Sequence, residues 1–77
     1  LVASFIKAGS KNILATHWQV ADKATSIMIL ETLKKSINNK INLSSALKAT
    51  KIEFINGKYG EKYKNPFYWA PYVIIGN

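Results

Sequence analysis

Apolar and polar positions change their spacing several times along this chain, and each change predicts an element. In "LVASFIKA" (1–8), Leu1, Val2, Phe5 and Ile6 recur at helical spacing, so the last turns of a helix are expected there. Gly9 is placed to supply the left-handed residue that ends it. In "NILATHW" (12–18), Ile13, Ala15 and His17 share one face and Leu14, Thr16 and Trp18 the other. Neither face is strongly polar, which predicts a strand covered on both sides, as in a parallel sheet.

The spacing turns helical again in "DKATSIMILETLKKSI" (22–37). Asp22 is the expected N-cap, and Ala24, Ile27, Met28, Leu30 and Leu33 make a wide apolar face. Lys34 and Lys35 are expected in the last turns, where cations complement the helix dipole, and Asn38 and Asn39 stop the helix. Asn42 caps a second helix. Leu43, Ala46, Leu47, Thr50 and Phe54 form its buried stripe, and Asn56-Gly57 ends it. "KYGEKYKNP" (58–66) reads as a mobile loop broken by Gly60 and Pro66. Pro71 has no N–H to give a ladder, so it belongs at a strand's start or on an edge, and the regular strand is expected over Tyr72 to Ile75.

The predicted order is helix, strand, helix, helix, strand. Two strands do not make a stable sheet alone. The segment is therefore expected to close a larger α/β sheet.

Composition narrows the function more than the fold. A chain of 77 residues makes at most one small domain with a marginal core, burying roughly 60% of its extended surface. Hydrophobic residues at 48% argue for a globular chain over a disordered one. The longest apolar runs, Ile27 to Leu30 and Tyr72 to Ile75, are far too short to span a bilayer. The chain opens on Leu1 with no leader pattern, and a piece of something longer is expected. There is no cysteine, so these residues hold no disulfide, thiolate zinc site or cysteine nucleophile. One histidine and four carboxylates are a poor metal-ligand set. No cofactor is expected, and the cytoplasm is the default compartment.

The net charge of +7 raises nucleic acid or anionic lipid as partners. Yet all eleven basic residues are lysine, scattered along the chain. Arginine is the residue that reads bases and clamps phosphates in pairs of bonds, so a solvated basic surface is favoured over a nucleic-acid footprint. Tyr59 and Tyr63, interleaved with Lys58, Lys62 and Lys64, imitate a single-strand stacking platform. Amphipathic side chains on a mobile loop are the favoured explanation.

Three stretches carry a resemblance: "SFIKAGSKNILATHWQVADKAT" (4–25), "NLSSALKAT" (42–50) and "NPFYWAPYVIIGN" (65–77). In this order they resemble the C-terminal part of the CHAT domain, a caspase-like cysteine peptidase family often joined to TPR repeats. The matching residues are Ala8-Gly9, Trp18-Gln19-Val20, Asp22, Ala24-Thr25, Ser45-Ala46-Leu47 and the run from Tyr68 to Gly76. The resemblance implies a three-layer α/β/α sandwich, of which residues 1–77 would be a C-terminal segment. It also implies a histidine–cysteine dyad in which a thiolate attacks a peptide carbonyl. Both dyad residues would lie upstream, so the chain's expected role is to complete the sheet and line one side of the peptide cleft. The implied partners are the upstream half of the same domain, a peptide substrate and TPR repeats; no membrane is implied. A non-catalytic scaffold is the alternative, and a basic nucleic-acid module a weaker one.

Within that resemblance Asp22 flanks the cleft and would pair with a basic substrate side chain; plain helix capping is the favoured reading, since Asp is among the commonest caps. Trp18 would wall a pocket at the strand's C-terminal end, where α/β sheets place ligands, or else fill the core. His17, a candidate substrate contact, otherwise reads as a packed strand residue and is not the catalytic histidine. The residues alone are expected to melt with weak cooperativity and to bind a hydrophobic dye; a sharp two-state melt would contradict this.

Overall fold

The computed structural model describes residues 2–4, 13–20 and 22–75. Strands β1 (Val2–Ser4) and β2 (Ile13–Thr16) come first, then helices α1 (Asp22–Asn39) and α2 (Leu43–Ile55). Two short 3-10 turns, Glu61–Lys64 and Pro66–Tyr68, lead into β3 (Tyr72–Ile75). The sheet order is β1-β2-β3, and the fold is mixed α/β. Among the described residues it has two layers, a helix pair over one face of a sheet.

Two expectations need correction. Val2–Ser4 form a strand, not the expected helix, pairing as Val2 with Thr16, Ala3 with Ala15 and Ser4 with Leu14. A central strand must satisfy its backbone groups on both sides, and that demand outweighs a short helical spacing. The expected helix end at Gly9 lies outside the described residues. The parallel arrangement is also corrected, because β2 runs antiparallel to both neighbours. What made it look parallel is nevertheless present: Leu14 on one face and Ala15 on the other are both buried.

Register decides where the core sits. Leu14 pairs with Ile74 and Thr16 with Tyr72, so these four side chains share one face of the sheet. Leu14 and Tyr72 join Val20, Ala24, Met28, Leu43, Leu47 and Phe54 in a single buried cluster. The strand Tyr72–Ile75 starts where Pro71 predicts, and it stands at the edge of the described sheet.

The helix ends show how local chemistry fixes length. Asp22 is the first residue of α1, and its side chain lies outside those described. The helix ends at Asn39, with Lys34 and Lys35 within its last two turns but not in the final one. Lys40 then takes a left-handed conformation with φ 53°. The Ile41 N–H reaches back to the Ser36 carbonyl at 3.2 Å, and the Ser36 hydroxyl donates to the Ile41 carbonyl at 2.7 Å. This is the Schellman closure with lysine at the position glycine prefers. Leu30, expected on the apolar face, is 59% exposed.

The second helix matches its pattern residue by residue. Asn42 Oδ1 accepts the Ser45 N–H at 2.8 Å, and the buried positions are Leu43, Ala46, Leu47, Thr50 and Phe54. Gly57, with φ 83°, closes it: its N–H bonds the Phe54 carbonyl and the Lys58 N–H bonds the Glu53 carbonyl.

Between the helices lies a polar seam. Thr32 donates to Thr50, which donates to the Ala46 carbonyl. Further along, Glu53 accepts from Lys35 at 2.6 Å, from Lys58 at 3.2 Å and from the Tyr59 hydroxyl. Burial pushes the Glu53 carboxyl up, but the hydrogen bonds from Lys35, Tyr59 and Lys58 outweigh it and hold the group at about 2. Burial, reinforced by the facing carboxylate, pushes the Tyr59 phenol well above its usual range. No buried side-chain polar atom among the described residues lacks a partner. The segment expected to be a mobile loop is therefore anchored, since Tyr59 packs at 4.7 Å from Phe54 and Tyr63 at 6.4 Å.

Two outcomes are expected. Lys40→Gly removes the left-handed strain and should raise stability by about 1 kcal/mol, seen as a higher Tm; an unchanged or lower Tm would count against the closure. Glu53 binds its proton less readily when folded, so its contribution is complete above pH 4.5, its ordinary value, and is lost as pH falls from there toward 2. Glu53→Gln should lower Tm at neutral pH by ~4–8 °C, the equivalent of about 1 kcal/mol. It should also flatten the acid limb of the Tm–pH curve, and an acid limb identical to the parent's would exclude this role.

Candidate functional site

The C-terminal end of β2 gathers most of the sequence-predicted candidates. His17 extends the ladder by one residue, its N–H donating to the Pro71 carbonyl at 3.1 Å. Proline has no N–H to return the bond, so regular pairing stops there. The His17 side chain is exposed. The chain then bends, and the Thr16 hydroxyl donates to the Trp18 carbonyl at 2.8 Å and holds the bend.

Trp18 is 40% exposed, so it is not core filler. Its indole N–H donates to the Phe67 carbonyl at 3.0 Å, and the two rings stack at 5.9 Å between centroids. Phe67 is held in turn by its own turn: Pro66 starts it, and Asn65 Oδ1 accepts the Phe67 N–H at 3.0 Å. Aromatic contacts run inward from this stack, from Phe67 to Tyr68, to Tyr63, and to buried Phe54. Trp69 adds a brace, its indole N–H donating to the Lys64 carbonyl at 2.9 Å. The surface stack is thus rooted in the core.

A second joint lies just beneath. Buried Val20 turns its carbonyl to the Thr25 hydroxyl at 3.5 Å, and Thr25 meets the Tyr72 hydroxyl at 2.7 Å. With Tyr72 donating to Thr25, and Thr25 to Val20, both hydroxyl protons are used. Burial pushes the Tyr72 phenol up, against the effect of the Thr25 bond, so it stays a donor. Ala24 is fully buried beside this joint.

The structure therefore brings His17 and Trp18 to one end of the sheet, with Asp22 opening the helix that follows. Phe67 and Thr25 belong to the same region and were not among the site residues expected from sequence. The Asn65-Pro66 pair was a legible turn signal, but only the fold shows which aromatic it lifts onto Trp18. Chemically the site offers an apolar wall and a strand end. Neither Trp18 nor Phe67 can act as a nucleophile, and no three potential metal-binding side chains converge among the described residues. No helix among the described residues is long and apolar enough to cross a membrane.

A family model described as "CHAT domain" matches residues 1–77. No curated protein matches the chain, and no solved structure does. The Trp-x-Val, Ala-Thr and Trp-Ala-Pro-Tyr segments that carry the resemblance are the ones that meet at the Val20–Thr25–Tyr72 joint. With the match running from end to end, the chain belongs to the CHAT domain family.

Proposed function

We propose that this chain is the C-terminal, cleft-lining segment of a caspase-like cysteine endopeptidase of the CHAT type, working in the cytoplasm, its histidine–cysteine dyad supplied by residues upstream. The observation that carries this reading is the braced Trp18–Phe67 stack beside the end of the central strand. An exposed aromatic pair fixed by a hydrogen bond is preorganised to receive a side chain of an extended peptide, and little ordering cost remains to be met on binding. The His17 N–H is already committed to Pro71, so backbone pairing with substrate would fall on residues 18–20. Asp22, at the start of α1, is the group we assign to a basic side chain preceding the cut. TPR repeats elsewhere in the protein would present the substrate.

Stacking of nucleic-acid bases is less well supported. Tyr59 and Tyr63 pack on Phe54, and Lys62 lies over the rings of Tyr63 and Tyr68. These faces are turned to the protein.

The test uses the full-length protein and peptides with Arg or Lys before the scissile bond. Cleavage should vanish when the upstream cysteine is changed to Ala. Trp18→Ala should lower kcat/KM by about tenfold, ~1.4 kcal/mol, with no comparable fall in Tm. Asp22→Asn should erode the preference for a basic residue over a neutral one. Cleavage that survives the cysteine change would overturn the peptidase reading. A protein with no upstream His and Cys would leave a scaffold. An Asp22→Asn variant with an unchanged preference and a lowered Tm would reduce Asp22 to a helix-start residue.

A further inference from the structure

The flank of β3 turned away from β2 adjoins a cleft lined by lysines, and Lys51 covers the carbonyl of buried Tyr72 there. In antiparallel pairing, residues alternate between exchanging hydrogen bonds with the partner and turning both backbone groups away. The His17-to-Pro71 bond fixes the phase. Val73 and Ile75, opposite Ala15 and Ile13, face β2. Tyr72 and Ile74 therefore turn their N–H and C=O groups to the sheet's outer edge among the described residues. The Lys51 ammonium confirms this by donating to the Tyr72 carbonyl at 2.6 Å.

A cleft of about 290 Å³ runs between this edge and α2, lined in part by Ser44, Leu47, Lys48 and Lys51. Its charge is one-sided. Glu31, Glu53 and Glu61 are engaged with Lys34, Lys35, Lys58 and Lys64, and no carboxylate among the described residues lines the cleft. Neither Lys48 nor Lys51 has a carboxylate partner among the described residues. Burial pulls the Lys51 ammonium below its usual range, as happens when lost hydration is not offset by an anion.

Spacing matches too. Lys48 and Lys51 stand three apart on a helix, so their Cβ atoms are ~5–6 Å apart. Alternate side chains of an extended peptide recur every ~6.7 Å.

We propose that the β3 edge and the adjoining face of α2 dock an extended acidic peptide, which adds as a further strand and sets alternate carboxylates against Lys48 and Lys51. The backbone groups of Tyr72 and Ile74 supply register and part of the affinity, and the two lysines supply selectivity. Lys51 holds the Tyr72 carbonyl in the free protein and hands it to the incoming strand as its ammonium meets the carboxylate. Leu47 floors the cleft for an apolar residue. This docking stands whether or not the peptidase reading does.

The experiment is fluorescence anisotropy of the full-length protein with a short labelled peptide alternating Glu and Val. Binding should weaken about tenfold when Glu is replaced by Gln, by a similar factor in Lys48→Glu, and steadily with added salt. Lys48 is exposed, so that variant should fold; an unchanged Tm checks it. N-methylation of the peptide backbone should abolish binding at alternate positions only, a readout independent of protein folding. Equal binding of the Gln peptide would overturn the acidic selectivity. N-methylation that is tolerated at every position would overturn strand addition. Sedimentation showing a dimer that excludes the peptide would assign the edge to a second copy instead.

Discussion

Tyr72 is held from three directions, and the rest of the chain is arranged around that fact. Its backbone lies opposite Thr16 in the sheet, its carbonyl takes the Lys51 ammonium from α2, and its hydroxyl meets Thr25 on α1. Its ring is 2% exposed. An aromatic of this size covers roughly 150–250 Å², worth about 4–6 kcal/mol in gross apolar burial at 25 cal/mol per Å². That gain is realised only if the phenol and the carbonyl keep partners, because a buried unsatisfied polar group costs a comparable amount. The hydroxyl partner is Thr25 and the carbonyl partner is Lys51, so sheet, α1 and α2 cannot shift independently.

The same logic explains why the segment before β3 is ordered. Between Gly57 and Pro71 the chain has no long element of its own, yet it carries five aromatic residues. Tyr59 anchors it to Phe54 and to Glu53, Tyr63 and Tyr68 continue the contact outward, and Phe67 ends it against Trp18. Each ring rests on the previous one. The exposed pair at the strand end is therefore rigid because of packing that starts at the buried Phe54, and a change at Phe54 would be felt at Trp18.

Charge is divided along similar lines. Three of the chain's carboxylates are drawn into ion pairs, chiefly along the seam where Lys35 crosses from α1 to Glu53 on α2. Among the described residues this leaves the β3 side of α2 with cations only, Lys48 and Lys51. Among the described residues, the outer edge of β3 and the unpaired cations occur together for a single reason. β3 ends the described sheet, and the helix beside it spends its one acid, Glu53, facing the other helix.

Much of this was legible in the sequence. Asn42, the stripe from Leu43 to Phe54 and Gly57 specify α2 by rules that act within a few residues, and Pro71 marks the start of β3 because a missing N–H is a property of the residue itself. The Trp-x-Val and Trp-Ala-Pro-Tyr segments identified the family for the same reason: they are short and chemically distinctive. What the sequence could not decide was anything set by pairing partners. The direction of β2, the extended state of Val2–Ser4, the exposure of Leu30 and the transfer of Lys35 from helix end to Glu53 depend on segments far apart in the chain. The site divides the same way. Trp18 was nameable from its motif, while the ring it stacks on and the bond that holds it come from Phe67, which only folding brings near. Local rules determined where the elements begin and end; the tertiary structure alone decided which faces meet, since burial and hydrogen-bond satisfaction are settled between elements and not within them.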